Sequence, residues 1–514
     1  MKKSNYKLSG ILLSGVVIAS SCANSGGDKN VDLKQPNIIF LLTDDQAYNT
    51  LGVMGNDEVT TPNIDKLANQ SVIFDNYYNT TAISMASRAN IMTGMYEFKS
   101  GCNFQHGPLT SEKFQLSYPI LLREAGYRIG FAGKFGFAVT ESSESNSSYH
   151  TYDRLPVDEF DWWKGWPGQG YYQTEKNKYM VEYAEEYPHV STALGAAAKD
   201  FLRESASSEQ PFCLSVSFKA PHSPVSPNKD FNHIYEGAEF TKPVNYGEKG
   251  AAHLPEQSKQ GRQYTKLRDR YFPEKYDEAM AKYHQLIYGV DVAVGMIMDE
   301  LKVLGLDENT IVIFTSDNGY FTGAHDFGGK VLPYEEGARA PLIIYTPGRN
   351  ETGKALRTNA LAGNIDIAPT ILEYSGLSIP ENMDGVSLIP VVEDPTTSVK
   401  DNQLFVQAWG ETPAQSLSLI HKDYKYLYWF YGEGMEPAEE LYNLDEDPYE
   451  MNNLFADPSE KSMLDEIRSV YDSYIEKWVA ECVPGNNYPV YGEIFDRNIS
   501  WDNKKQFVKY RGDK

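Results

Sequence analysis

Residues 37–45 read NIIFLLTDD, an apolar run that passes directly into two aspartates. Residues 310–319 read TIVIFTSDNG, a second apolar run that ends at Asp317 and Asn318. Short apolar runs bounded by polar residues are typical of strands buried on both faces, and such strands occur in parallel sheets covered by helices. The two runs therefore predict strands of an α/β sheet, each with polar groups at its carboxyl end.

The rest of the chain alternates strand-like and helix-like segments, which predicts a mostly parallel sheet with helices on both faces. Further strands are expected at residues 128–132, 212–218 and 341–345. Helices are expected at residues 63–68, 119–125, 192–204, 279–304 and 367–374. Two segments rich in polar, Pro or Gly residues, 142–148 and 224–273, are interpreted as surface insertions.

The composition changes after Pro390. Tyr- and Trp-rich strand-like segments follow between residues 404 and 431, and a helical segment lies near 461–480. This pattern predicts a smaller α+β subdomain behind the main sheet. We place the main domain at residues 35–395 and the subdomain at residues 396–514.

Length and charge exclude one class of partner. The 514 residues, of which 41% are hydrophobic, suffice for one large core and a smaller appendage. The formal net charge is -24, which argues against a nucleic-acid partner because phosphate binding needs a basic face. An anion site on such a chain must therefore be a local group of Lys, Arg and His side chains.

The N-terminus has the pattern of an export signal. Lys2, Lys3 and Lys7 precede a short apolar run at residues 11–19, which ends in small residues and Cys22. This pattern resembles the lipobox of bacterial lipoproteins, in which the cysteine is acylated; a plain secretory signal is the alternative. We expect a signal peptide at 1–22, a polar tether at 23–34, and a periplasmic or outer-membrane location, with a possible membrane tether through lipidated Cys22.

Polar residues at the ends of the two apolar runs suggest a metal site. In an open α/β sheet the carboxyl ends of the strands form the ligand crevice, so Asp44, Asp45, Asp317 and Asn318 are expected to meet there. Clustered carboxylates raise each other's pKa unless a cation neutralises them. Oxygen ligands favour calcium, with magnesium second and zinc not expected. The alternative is that each aspartate caps the following turn or helix.

Residues 84–94 read SMASRANIMTG. This segment resembles the maturation signature of the type I sulfatases in the alkaline phosphatase superfamily, whose first residue is oxidised to formylglycine. That position is Ser84 here, and Ala86 stands where proline is more common. Taken alone, the segment could be only a helix N-terminus capped by Ser84, a place where backbone N–H groups also favour an anion.

Further strings match the same family in the same order along most of the chain. They are residues 36–45, Gly133-Lys134, the PHSP string at 221–224, SDNG at 316–319, Gly329-Lys330, YEEGARAP at 334–341, DIAPT at 366–370 and ELYNLDEDP at 440–448. The joint order makes coincidence improbable. The resemblance implies an alkaline-phosphatase-like α/β sandwich with a large, mostly parallel central sheet and a C-terminal α+β subdomain.

The resemblance also implies roles for individual residues. Formylglycine at position 84, as its hydrate, would attack sulfur, next to a cation held by residue 84 together with Asp44, Asp45, Asp317 and Asn318. Arg88 and Lys134 would hold the modified residue, and Lys330 would bind sulfate oxygens. His222 would protonate the leaving alkoxide, a role that suits a near-neutral pKa.

One position departs from the family pattern. The family string Gly-Lys-Trp-His is Gly133-Lys134-Phe135-Gly136 here, so a histidine that assists the release of sulfate is missing. His106 and His325 are candidates to replace it in the substrate site.

An aromatic, Gly-rich segment around Trp163 and Trp166 is interpreted as a loop whose rings stack on a sugar, with packing against the core as the alternative.

These inferences predict a sulfatase that acts on a sulfated carbohydrate and depends on a formylglycine-generating maturase. A phosphomonoester or phosphodiester hydrolase of the same superfamily is the first alternative, because phosphate and sulfate are both tetrahedral. A sulfated-glycan binding protein that has lost catalysis is the second, because of Gly136.

Overall fold

The computed structural model describes residues 35–142, 151–350 and 352–508. The expected signal peptide at 1–22, the lipid attachment at Cys22 and the tether at 23–34 lie outside the described residues, as does most of the segment 142–148. In the part of the chain that is described, no helix combines the length and the apolar character needed to cross a bilayer.

An eight-stranded sheet forms the centre of the main domain. Its strands in chain order are β1 Asn37–Asp44, β2 Val72–Tyr78, β3 Arg128–Lys134, β4 Trp162–Trp166, β5 Phe212–Pro221, β6 Thr310–Ser316, β7 Leu342–Tyr345 and β8 Leu356–Gly363. Their order in space is β8-β2-β7-β6-β1-β5-β3-β4. Only β7 runs antiparallel to its neighbours, which confirms the prediction of a mostly parallel sheet.

The unbroken apolar run of strand β1 supplies buried side chains to both faces of the sheet. Ile39 and Leu41 belong to one buried cluster, whereas Ile38, Phe40 and Leu42 belong to a second cluster on the opposite face. Because alternate side chains of a strand point to opposite faces, both faces of β1 are covered. Burial of each such side chain contributes about 1.5–3 kcal/mol, which explains why polar residues appear only where the strand ends.

Helices cover the sheet on both sides. One face carries α1 Pro62–Ala68, α4 Val190–Ser205 and α5 Tyr276–Val303. The other carries α2 Ser84–Thr93, α3 Tyr118–Glu124 and α6 Ile367–Tyr374. Shorter helices are Glu97–Ser100, Ser111–Phe114, Gly247–Ala251, Glu335–Ala338, Ile389–Glu393 and Trp501–Lys504, and two-residue strands are Leu109–Thr110, Val139–Thr140, Phe321–Thr322 and Gly328–Gly329.

The C-terminal part forms a four-stranded antiparallel sheet. Its strands are β9 Asn402–Gln407, β10 Ser416–His421, β11 Tyr424–Trp429 and β12 Ala438–Asn443, followed by α7 Lys461–Glu481 and α8 Tyr488–Phe495. The backbone N–H of Val406 donates to the carbonyl of Thr80 at 2.7 Å, so β9 is joined directly to the segment that precedes α2.

The expected strands and helices are all present, but one interpretation is wrong. The aromatic segment is not a loop: it is β4, the edge strand of the main sheet, paired in parallel with β3. Aromatic side chains favour strands, and here they pack against the sheet's own core. Trp163 stacks on Phe131 with ring centroids 5.1 Å apart, and Trp166 is 1% exposed. Strands β2 and β8 were not expected from the sequence.

Candidate active site

The acidic residues meet because β1 and β6 are parallel neighbours in register. Thr43 pairs with Ser316, so the residues that follow each strand emerge side by side. The backbone N–H of Asp45 donates to Asp317 Oδ1 at 3.2 Å, and Asn318 Nδ2 donates to Asp45 Oδ1 at 2.7 Å. Asp45 itself has a φ of +71°, a conformation that turns the chain sharply at the end of the strand.

Ser84 lies in the middle of this group, at the first residue of α2. Its hydroxyl donates to Asp44 Oδ1 at 3.1 Å and accepts a hydrogen bond from Lys330 Nζ at 2.8 Å. The first turn of a helix also presents free backbone N–H groups and the positive end of the helix dipole. Ser84 is therefore in contact with both a carboxylate and a cation at a place that favours an anion.

Basic side chains interleave with the carboxylates. Arg88 Nε donates to Asp317 Oδ2 at 2.8 Å, and its guanidinium also bonds to the carbonyl of Lys134 at 2.8 Å and to Ser217 Oγ. Lys134 Nζ donates to Asp44, and Lys330 Nζ donates to Asp45. Three carboxylates and three cations thus share one buried group, which keeps its net charge low.

The ionisation of these groups reflects burial and their neighbours. Burial alone would raise the pKa of Asp44, but the charges of Lys134, His222, Arg88 and Lys330 hold it well below its ordinary value. Burial, together with the negative charge of Asp44, raises the pKa of Asp317 to about 6. An added positive charge beside Asp317 would favour its carboxylate form.

The residues fit a hard divalent cation. Asp44, Asp45 and His222 offer ligand atoms that all lie within 4.8 Å of one another. Asn318 Oδ1 is buried and has no hydrogen-bond partner among the described residues, although buried polar atoms are normally paired. An unpaired amide oxygen beside carboxylate oxygens is the donor chemistry that calcium or magnesium prefers.

His222 lies on the loop after β5. Its Nδ1 is paired with the carbonyl of Ser223, and its Nε2 lies 3.8 Å from Asp45 Oδ2. Burial lowers the pKa of His222 to about 4, below the near-neutral value that suits a proton donor. A bound anion would raise this pKa because it stabilises the imidazolium.

A cavity of about 390 Å³ opens onto Ser84, Asp45, His222 and Lys330. This volume lies in the range of small-molecule sites. Its outer wall is formed by Gln169, Arg262, Arg270, Tyr320, Phe104 and Trp409. The segment at 224–273, expected to be a surface insertion, therefore supplies part of the site.

The structure does not place the four suggested substrate contacts in this cavity. Trp163 and Trp166 pack in and beside the sheet, as described above. His106 is buried, with Nε2 2.8 Å from the carbonyl of Ala408 and its ring against Tyr488 and Tyr491.

His325 is also buried, and both of its ring nitrogens have partners. Nδ1 lies 2.9 Å from the carbonyl of Gly250, and Nε2 lies 2.9 Å from Asn245 Nδ2. Both ring nitrogens are therefore used in contacts with neighbouring segments of the protein. His106 and His325 therefore serve in packing and internal hydrogen bonding, and neither replaces the missing histidine in the cavity.

Sequence reasoning missed Gln169, Arg262, Arg270 and Trp409. Gln169 Oε1 accepts a hydrogen bond from Lys134 Nζ at 2.9 Å, and the Arg262 guanidinium lies 5.6 Å from the centre of the Trp409 ring. Gln169, Trp409 and the segment 262–270 lie far apart in the sequence, and no local pattern distinguishes these side chains from ordinary surface side chains.

Known protein families match most of the chain. The sulfatase family profile matches residues 36–377, and the profile of the C-terminal region of N-sulphoglucosamine sulphohydrolase matches residues 323–477. An N-acetylglucosamine-6-O-sulfatase of Bacteroides thetaiotaomicron is 28% identical over 504 residues, which cover 85% of each chain.

Solved structures show the same fold. One similar structure is a protein in complex with its substrate D-glucosamine-2-N,6-O-disulfate, at 25% identity and a TM-score of 0.70, covering 86% of this chain and 98% of that one. The phosphonate monoester hydrolase of Agrobacterium radiobacter has a TM-score of 0.68 at 22% identity, covering 87% of this chain and 95% of its own. At that identity the second likeness concerns the fold alone.

Proposed function

The chain belongs to the sulfatase family and is a sulfatase, and from this premise we propose that it removes sulfate from a glycan by means of a formylglycine made from Ser84 and a bound calcium ion. The observation that carries the proposal is the position of the Ser84 hydroxyl. It lies within hydrogen-bond distance of both Asp44 and Lys330 and faces the cavity. Magnesium is the second choice for the ion.

The modification at residue 84 has a clear chemical purpose. As its hydrate, formylglycine would supply one hydroxyl as nucleophile and a second whose deprotonation expels sulfate and restores the aldehyde. An ordinary serine would end as a stable sulfate ester. A divalent cation held by Asp44, Asp45, Asp317 and Asn318 would lower the pKa of the attacking hydroxyl and polarise a sulfate oxygen.

The chain's own residues perform the remaining tasks. Lys330 contacts the residue-84 oxygen, so its ammonium can stabilise the sulfate oxygens while the new O–S bond forms and the bond from sulfur to the sugar oxygen breaks. Arg88 and Lys134 hold Asp317 and Asp44 in place. His222 Nε2 faces this group, and once protonated beside the bound anion it can give its proton to the leaving sugar oxygen.

A carbohydrate substrate is supported by the cavity and by the relatives. The volume of about 390 Å³ accommodates a sugar ring, and the partly exposed Trp409 offers an aromatic face on its wall. Two of the relatives named above are an N-acetylglucosamine-6-O-sulfatase and a protein in complex with its substrate D-glucosamine-2-N,6-O-disulfate. We further propose export by the N-terminal signal, with acylation at Cys22 as the membrane tether.

Mass spectrometry of the peptide that contains residue 84 tests the proposal directly. After expression with a formylglycine-generating maturase, the peptide should have lost two hydrogen atoms, and the protein should release sulfate from a member of a panel of sulfated saccharides. The same chain expressed without the maturase is the matched control and should be inactive. Phosphate ester hydrolysis by protein with an intact serine would instead favour the first alternative, a phosphomonoester or phosphodiester hydrolase.

A further inference from the structure

Two arginines on the cavity wall have no ionic partner. Arg262 and Arg270 are exposed, and within the described residues neither guanidinium donates a hydrogen bond or forms an ion pair. Arg268, which lies between them, behaves differently: it pairs with Asp326 and lies over the ring of Tyr264. The chain carries a net charge of -24, so two unpaired guanidinium groups that face one cavity are an unusual local excess of positive charge.

The segment that carries these arginines packs against Lys330 and the strand before it. Gln263 Nε2 donates to the carbonyl of Lys330 at 2.8 Å. A Cβ atom on Gly328 would overlap the carbonyl oxygen of Leu267, so the segment packs directly on the short strand that leads to Lys330. The position of Arg262 and Arg270 relative to Lys330 is therefore determined by backbone packing.

The deep part of the site already has partners for its own charges. Lys330 is neutralised by Asp45 and contacts Ser84, and Lys134 is neutralised by Asp44. The arginines on the outer wall take no part in this group. A guanidinium presents a planar fork of donors that matches sulfate and carboxylate groups, often through two hydrogen bonds.

We propose that Arg262 and Arg270 bind a second anionic group of the substrate, a sulfate or a carboxylate, on the same saccharide whose sulfate ester is cleaved beside Ser84. The Arg262 guanidinium lies over Trp409, and the two side chains together form a wall with an aromatic face and a positive charge. The inference rests on the proposed function and narrows its substrate to polyanionic saccharides.

Equilibrium binding tests this subsite without turnover. Protein expressed without the maturase keeps Ser84 and is titrated calorimetrically with three probes. N-acetylglucosamine-6-sulfate carries one anionic group, D-glucosamine-2-N,6-O-disulfate adds a second sulfate, and N-acetylglucosamine-6-sulfate linked to glucuronic acid adds a carboxylate. At least one doubly charged probe should bind about tenfold more tightly than the singly charged one, and the preferred probe identifies the second group.

The double variant Arg262→Gln with Arg270→Gln should lose this preference. Lys266→Gln is the matched control. Lys266 is exposed on the same segment but does not line the cavity, so its replacement removes a positive charge from outside the cavity. Equal affinity of the unsubstituted protein for all three probes, no measurable binding of any probe, or a preference retained in the double variant would each overturn the inference. If the preference is present but the matured protein releases no sulfate from any saccharide, the subsite stands and the proposed function fails.

Discussion

A Cβ atom on Gly136 would overlap Cδ of Arg88, and the φ of Gly136 is +94°. Arg88 cannot easily move aside, because its guanidinium is held by Asp317, by Ser217 and by the carbonyl of Lys134. Any side chain at position 136 would therefore displace Arg88 from the acidic group. The histidine of the Gly-Lys-Trp-His string would not fit this backbone at position 136, which gives a physical reason for the departure from that pattern.

Gly136→Ala should destabilise the protein by more than its backbone conformation alone explains. The left-handed φ costs about 1 kcal/mol for alanine, and the overlap with Arg88 should add about 1–3 kcal/mol. Gly126→Ala is the matched control, because Gly126 has a φ of +91° with open space around it. Denaturant unfolding measures the free energy of unfolding of both variants. Equal losses of stability would show that Arg88 moves aside without an energetic penalty.

Lys330→Met should lower kcat about 10²–10³-fold, because it removes the cation that contacts the residue-84 oxygen and can stabilise developing charge. The measurement is steady-state kinetics of matured protein on a sulfate ester. Lys302→Met, at the exposed end of α5, should leave kcat unchanged. A variant with normal kcat and a raised KM would show that Lys330 contributes only uniform binding.

Calcium should stabilise the folded protein, because a cation bound only by the folded state shifts the unfolding equilibrium. At a free concentration about 100 times its Kd, the gain should be about 2.7 kcal/mol. Thermal unfolding with and without a chelator measures it, with magnesium as the comparison ion. Asp317→Asn should diminish the response and Asp299→Asn, on the exposed side of α5, should not. A melting temperature indifferent to both ions and to chelation would contradict the metal assignment.

Stability should depend on pH through Glu97, which is fully buried and accepts hydrogen bonds from Asn103 at 2.9 Å and from Tyr488 at 2.8 Å. Burial raises its pKa from 4.5 to about 7. The folded state therefore keeps a proton that the unfolded state releases, so this group's contribution is complete below pH about 4.5 and is lost as the pH rises to about 7. The loss should approach roughly 3 kcal/mol.

Glu97→Gln removes one titrating group and should reduce the slope of the free energy of unfolding across this pH window. The exposed Glu124→Gln is the control and should keep the slope of the unsubstituted protein. Urea unfolding at a series of pH values between 4.5 and 8 distinguishes them. An unchanged slope in Glu97→Gln would show that another group is responsible.

Much of the fold could be predicted because the signal is local. The run at residues 38–42 is apolar at every position, and a strand buried on both faces needs that composition. The edge strand Trp162–Trp166 was misread because its aromatic residues suit an exposed sugar-binding surface as well as a packed strand. Contacts with rings elsewhere in the sheet, such as Phe131, distinguish the two.

The sequence by itself determined the mostly parallel character of the sheet and five of its eight strands. It also determined that Asp44, Asp45, Asp317 and Asn318 follow strand ends and that Ser84 starts a helix, because strand periodicity and helix signals act over a few residues. Only the tertiary structure decided that Arg262, Arg270 and Trp409 form the outer wall of the cavity and that His106 and His325 do not. Those positions depend on contacts between segments at least 75 residues apart in the chain, such as the one between His325 and Gly250 or the one between Arg262 and Trp409, and no local pattern encodes them.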